Sequence, residues 1–257
     1  MTLLERVWYF LRHLLICVDE HSLHSPLVYD LFTKVIKKSA KFIPDETAEK
    51  ARNGLKADHR RITVTDFGSG AGRPPERKIS DIARKSLAPP RRSGLLTGLV
   101  KHFESKGIVE LGTSLGTNTL YLSALPGVVV NTFEGCPETA KIASGIFERE
   151  GRTNVRVHVG DIGKTLPPFI RKEKPDMVYF DANHRYLPTI EYFEICLDRA
   201  HDKSVFIFDD IHLSRGMDKA WNEIKKNTQV TLSIDCFHFG LLLFDPMLAK
   251  RDYVLSF

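Results

Sequence analysis

Two carboxylates and a glycine turn carry the first chemistry visible in this chain. Glu110 closes the apolar run Ile108-Val109 and is followed by Leu111-Gly112-Thr113-Ser114-Leu115-Gly116, a Gly-x-x-x-Gly turn. Such a turn leaves backbone N–H groups bare, and Gly112 and Gly116 remove the side chains that would keep a ligand at a distance. Glu134 ends the next apolar run and lies 24 residues beyond Glu110, a spacing at which a carboxylate reaches ribose hydroxyls. Farther along, Asp181-Ala182-Asn183-His184 and Asp209-Asp210-Ile211-His212 place carboxylates and imidazoles after two more apolar runs. Those side chains are suited to orienting and removing a proton.

The elements that must position these residues follow from periodicity. Strands are expected over 107–111, 128–133, 154–159, 175–180 and 204–209, and helices over 117–125, 137–149, 163–171, 186–199 and 215–227. Apolar strands separated by helices require crossover connections, which gives a parallel sheet covered on both faces. The tail breaks the rhythm, because only residues 236–238 separate the strand-like runs 229–235 and 239–244. That gap is too short for a crossover, so an antiparallel hairpin is expected, with 253–257 as a further strand. The fold class is therefore α/β: a Rossmann-like sheet of five parallel strands plus an antiparallel carboxy-terminal hairpin, with an amino-terminal helical extension.

In that extension, helical patterns cover 3–18 and 26–38, followed by a polar stretch through Asp58. Ser25-Pro26 supplies a cap oxygen and a preset φ for a helix start, so His21 and His24 read as turn residues. Residues 1–88 are expected to form the extension with a flap, and 89–257 the main domain. Val64-Thr65-Asp66-Phe67-Gly68-Ser69-Gly70-Ala71-Gly72 also resembles a strand entering a nucleotide loop, but Arg73-Pro74-Pro75 cannot open a helix there, so it reads as the flap.

Charge is uneven: residues 1–107 carry 20 Lys and Arg against 12 Asp and Glu, and the remainder 17 against 20. Nine of the bases (Arg60, Arg61, Arg73, Arg77, Lys78, Arg84, Lys85, Arg91, Arg92) crowd the approach to the glycine turn. They form either a solvated face or an attractor for an anionic partner; no aromatic stacking surface interleaves them. Cys17, Cys136, Cys196 and Cys236 form no metal-spaced pair. Glu5, Arg6, Arg12 and His13 interrupt the apolar start, which excludes a spanning segment or secretory signal of ordinary form. A cytoplasmic protein is expected. Apolar residues in the first two helices serve either a homodimer contact or packing on the host sheet.

On these residues the chain resembles the class I S-adenosylmethionine-dependent methyltransferases, and more narrowly the O-methyltransferases similar to catechol and caffeoyl-CoA O-methyltransferase. The resemblance covers residues 90–245. It implies S-adenosylmethionine as cofactor, held by Glu110, Gly112, Thr113, Ser114, Gly116, Glu134, Gly135, Asp161 and Asp181, with Glu134 on the ribose and Asp161 beside the adenine. It brings Arg92-Ser93-Gly94-Leu95-Leu96 to the place of a turn over the methionine end. It also implies a magnesium site at Asp181, Asp209 and Asp210, where Asp210 replaces an asparagine of the family, and puts His184 where the family has its catalytic lysine. Histidine deprotonates near neutral pH without a lysine's shifted pKa, so His184 with Asp181 is the expected catalytic pair. His212 is a second candidate base.

The implied activity is methyl transfer to an oxygen of a small molecule. A sulfonium methyl is already activated, so the protein has chiefly to align it, exclude water and help the acceptor lose its proton. Two rivals are a non-catalytic binding or regulatory protein on the same fold and a nucleic-acid methyltransferase. The latter is disfavoured because Asp181-Ala182-Asn183-His184 lacks the Asn/Asp-Pro-Pro-aromatic pattern that holds a base amine.

Overall fold

In a computed structural model of the 257-residue chain, residues 3–65 and 75–257 are described; residues 66–74, most of the expected flap, lie outside them. The elements in chain order begin with α1 (Leu3–Ile16), α2 (Pro26–Leu31), α3 (Glu46–Ala57), β1 (Arg61–Thr63), β2 (Glu76–Lys78), α4 (Ile79–Ser86) and α5 (Pro90–His102). There follow β3 (Gly107–Leu111), α6 (Thr117–Ser123), β4 (Val129–Glu134), α7 (Pro137–Arg149), β5 (Val155–Val159), α8 (Ile162–Ile170) and β6 (Met177–Phe180). The last are α9 (Tyr186–Leu197), β7 (Val205–Asp209), α10 (Arg215–Ile224), β8 (Leu232–Asp235), β9 (Phe239–Leu243) and β10 (Arg251–Val254). The chain divides into two compact units, residues 39–169 and residues 1–38 with 170–257.

In the unit 39–169, β3, β4 and β5 run parallel, with Glu110 beside Thr132 and Glu134 beside Val159. Its core gathers Ala51 and Leu55 of α3, Leu115, Leu120 of α6, and Ala143, Ile146 and Phe147 of α7. Helix α3 falls in the polar stretch to which the sequence assigned no element. Its inward face is Ala48, Ala51, Arg52 and Leu55, so a small residue repeated at helical spacing replaces the large apolar ones that make periodicity visible. Asp45 caps it, accepting the Ala48 N–H at 2.8 Å. Of the basic segment, Arg61 lies in β1, Arg77 and Lys78 in β2, Arg84 and Lys85 in α4, and Arg91 and Arg92 in α5, while Arg73 lies outside the described residues. Residues 92–96 lie inside α5 rather than in the expected turn, because Pro90 at the helix start presets φ and Ser93, Leu95, Leu96 and Leu99 are buried on it.

The other unit carries β6 and β7 in parallel, β9 antiparallel to both β7 and β8, and β10 parallel to β8. Every residue of β6 through β9 is buried. Phe180 stacks on Phe208 with ring centroids 4.1 Å apart. Gly240 of β9 is required by packing, since a Cβ there would meet the Trp221 ring at 2.5 Å. The expected hairpin is thus β8–β9, and the further strand is β10. Ser25 caps α2 by accepting the Val28 N–H at 3.4 Å, but the α-helix ends at Leu31 and continues as π and 3₁₀ turns through Lys41. Helix α1 is tied to the carboxy-terminal strands by His13 Nε2 to the Leu255 carbonyl oxygen at 3.2 Å and by a bridge between Val18 and Leu255. The architecture is mixed α/β and mostly parallel, with β9 antiparallel to its neighbours and a separate antiparallel pair, β1 and β2.

Candidate functional site

The glycine turn is built by three residues with left-handed backbone: Gly112 at φ +102°, Ser114 at +49° and Gly116 at +82°. Gly116 is also needed for packing, because a Cβ there would stand 2.7 Å from Phe147 of α7. Two backbone bonds clamp the start of the turn to β4: Gly112 and Thr113 donate their N–H groups to the Phe133 carbonyl at 2.9 and 3.1 Å. Glu110 is buried beneath it. Its Oε2 accepts the Thr119 hydroxyl at 2.5 Å and the Thr132 hydroxyl at 2.7 Å, joining β3, α6 and β4, while Thr113 and Thr132 share a hydroxyl contact of 2.6 Å.

Glu134 sits against the same turn. Its Oε2 accepts the Ser114 N–H at 2.7 Å and its Oε1 the Cys136 N–H at 2.8 Å. Burial raises the pKa of this carboxyl, while the N–H groups of Cys136, Ser114 and Gly135 pull it back down. Each oxygen of a carboxylate has a second lone pair, so a side chain held this way still accepts hydroxyl donors. That donor and acceptor set fits the ribose diol of an adenosyl cofactor. Asp161 follows β5 after Gly160, which has φ +131°, and its Oδ1 accepts the Gly163 N–H at 3.1 Å. It therefore caps the first turn of α8 and leaves its other oxygen 3.8 Å from Lys164 Nζ.

In the other unit, Asp181 follows β6 and His184 lies three residues on, with Nε2 3.4 Å from Asp181 Oδ1. The Tyr179 hydroxyl donates to Asp181 Oδ2 at 3.2 Å, a contact that no sequence reading named. Asn183 makes the bend possible at φ +58° and accepts two N–H groups of Arg185. Burial lowers the pKa of His184, but the Asp181 carboxylate, with Asp210 and Asp209 behind it, reverses this, and the net shift is upward.

Asp181, Asp209 and Asp210 do not assemble the magnesium site implied by the resemblance: among the described residues, no group of three or more His, Cys, Asp or Glu side chains could hold a metal ion. Asp209 is buried at the end of β7 opposite Phe239, and Asp210 turns through φ +53° with its N–H on the His238 carbonyl at 2.6 Å. Asp181 is committed to Tyr179 and His184. As placed, these carboxylates form no group that could hold a divalent cation, even one that keeps several of its waters.

His212 is also removed from the set of candidate bases. Its Nδ1 lies 2.8 Å from Asp218 Oδ1 and its Nε2 2.9 Å from Asp235 Oδ2. Burial opposes the charge, yet the two carboxylates raise its pKa to about 9, so both nitrogens carry protons at neutral pH. Asp235 further accepts the Trp221 indole N–H at 3.2 Å and lies 3.5 Å from His13. Three elements, α1, α10 and β8, and the loop after β7 supply this network, so no spacing in the sequence announces it.

Residues 109–211 match a family model described as a methyltransferase domain. Over 86 residues the chain is 30% identical to a protein-L-isoaspartate O-methyltransferase of Pyrococcus abyssi, covering 34% of this chain and 40% of that one. Over 128 residues it is 29% identical to a catechol O-methyltransferase of Niastella koreensis, covering 48% and 57%. The chain thus spans about half the length of these curated relatives. Among solved structures, an O-methyltransferase from Streptomyces achromogenes in complex with SAM superposes with a TM-score of 0.62 at 21% identity, over 82% of this chain and 95% of that one. One from Bacillus cereus in complex with SAH gives 0.60 at 20% identity, over 83% and 99%. Residues 109–211 are therefore similar to a methyltransferase domain, and the chain has the Rossmann-like fold of those methyltransferase structures.

Proposed function

We propose that this protein is an S-adenosylmethionine-dependent methyltransferase that methylates an oxygen of a small molecule without a metal ion. The observation that carries the reading is the Ser114 N–H bond to Glu134 at 2.7 Å, which fixes the second acid directly against the glycine turn. Glu134 holds the ribose, the Gly112 to Gly116 turn and Gly135 admit the cofactor's backbone, and Asp161 borders the adenine. Glu110 acts through the turn as a positioning residue. When bound, S-adenosylmethionine supplies a methyl group on a sulfonium, whose transfer leaves a neutral thioether.

Asp181 and His184 serve the acceptor. With Nε2 turned to Asp181, Nδ1 of His184 is the nitrogen that takes the hydroxyl proton, and Asp181 stabilises the imidazolium that results. The oxygen's electron pair forms the new bond to carbon as the bond to sulfur breaks. Residues 1–88 are assigned as the extension and 89–257 as the cofactor-binding portion. We place the reaction in the cytoplasm, in keeping with four cysteines that are all free. No described helix is long and apolar enough to cross a membrane. Trp8, Leu11 and Leu15, which α1 leaves exposed, support pairing with a second copy.

Calorimetric titration with S-adenosylhomocysteine tests the cofactor half: wild type binds and Glu134→Ala loses at least tenfold in affinity. Absent binding, or undiminished affinity in the variant, overturns it. Single-turnover methylation of an identified acceptor tests the other half, and an unchanged rate in His184→Ala removes that residue from the reaction.

A further inference from the structure

A cavity of about 980 Å³ lies within the unit 39–169, between α3 and α7 and beside β1, and none of the cofactor-turn residues lines it. Its floor is apolar: Ala51, Leu55, Ile62, Ile79 and Ile146 are each exposed by less than a tenth. Its rim is basic. Five Lys and Arg face three Asp and Glu, a surplus of two positive charges.

Two of the acids are already neutralised, Asp58 by Arg60 at 2.6 Å and Glu150 by Arg149 at 2.9 Å. Lys50, Arg61 and Lys141 are exposed and have no ion pair or hydrogen bond with another described side chain. Only Glu138 offsets them among the lining groups.

The floor also contains two helix glycines, Gly54 of α3 and Gly145 of α7. Neither has the positive φ that favours glycine, and a Cβ at either position would meet nothing within 4 Å. Glycine inside a helix is destabilising relative to alanine, so both sites carry a cost that internal packing does not require. What the missing side chains leave is open floor between three uncommitted cations.

We propose that this groove binds a small organic phosphate, a dianion with a flat apolar body. The body lies on the floor over Gly54 and Gly145, and the phosphate is met by Lys50, Arg61 and Lys141, whose surplus matches its charge. This site is separate from the one assigned to the adenosyl cofactor.

Titration of the full chain with 1-naphthyl phosphate, beside 1-naphthol and inorganic phosphate, tests the pairing of charge with apolar surface. Binding of the naphthyl phosphate at least tenfold tighter than of either fragment is expected; equal binding of one fragment overturns the proposal. A Gly54→Leu/Gly145→Leu variant fills the floor without a clash and is expected to melt no lower than wild type while losing at least tenfold in affinity. Should that variant misfold, Lys50→Ala/Arg61→Ala/Lys141→Ala supplies the same test from the rim. Undiminished binding in a folded variant of either kind overturns the proposal. S-adenosylhomocysteine titration of the same variants is expected to be unchanged, so failure of this site is distinguishable from failure of the cofactor assignment.

Discussion

His212 presents Nε2 to Asp235 at 2.9 Å, in a unit interior where each group holds the other in its charged form. The histidine's pKa is raised to about 9, so its contribution to stability is complete below the ordinary value near 6.5 and is lost as pH climbs through 9. Asp235 is shifted the other way, below the usual carboxylate range, so its contribution is present above about pH 4 and is lost on further acidification. Urea unfolding is therefore expected to show wild type losing on the order of 3 kcal/mol between pH 6.5 and 9. His212→Gln should flatten that slope; an equally steep slope in the variant would show that another group is responsible.

The Asp181 and His184 pair makes a kinetic prediction. A base whose pKa is raised by a carboxylate must be deprotonated to act, so the acid limb of kcat falls above pH 6.5. Asp181→Asn removes the carboxylate and should move the limb to lower pH. A limb that stays in place would separate Asp181 from the titrating group.

Gly116→Ala is expected to destabilise the fold by about 2 to 4 kcal/mol, from the left-handed backbone and from overpacking against Phe147. Combining it with Phe147→Leu should restore only the packing part, which thermal unfolding of the single and double variants would measure.

Magnesium gives a fourth expectation. Because the three aspartates do not converge, methylation of an identified acceptor should persist in excess chelator within about twofold of its untreated rate. A loss of tenfold or more would require a donor arrangement different from the one described.

Much of the alternation after residue 106 was legible because large apolar residues mark each strand and recur at helical spacing between them. Glu134 was singled out by its spacing of 24 residues beyond Glu110, whereas its bond to the Ser114 N–H is a detail of the fold that no spacing named. Helix α3 was hidden because Ala48 and Ala51 make its buried face nearly silent to hydropathy. Residues 92–96 were read as a turn by analogy, whereas Pro90 and the buried leucines of α5 impose a helix. Nothing local could reveal that His212 is locked between Asp218 and Asp235, because the partners come from elements that only tertiary folding brings together.

The bond from His13 to Leu255 joins residues separated by 242 positions. On a ribosome the first helix therefore waits about 10 to 50 s for the strand that anchors it. During that interval α1 stands without its anchor, which makes the nascent amino terminus a natural client for a holding chaperone.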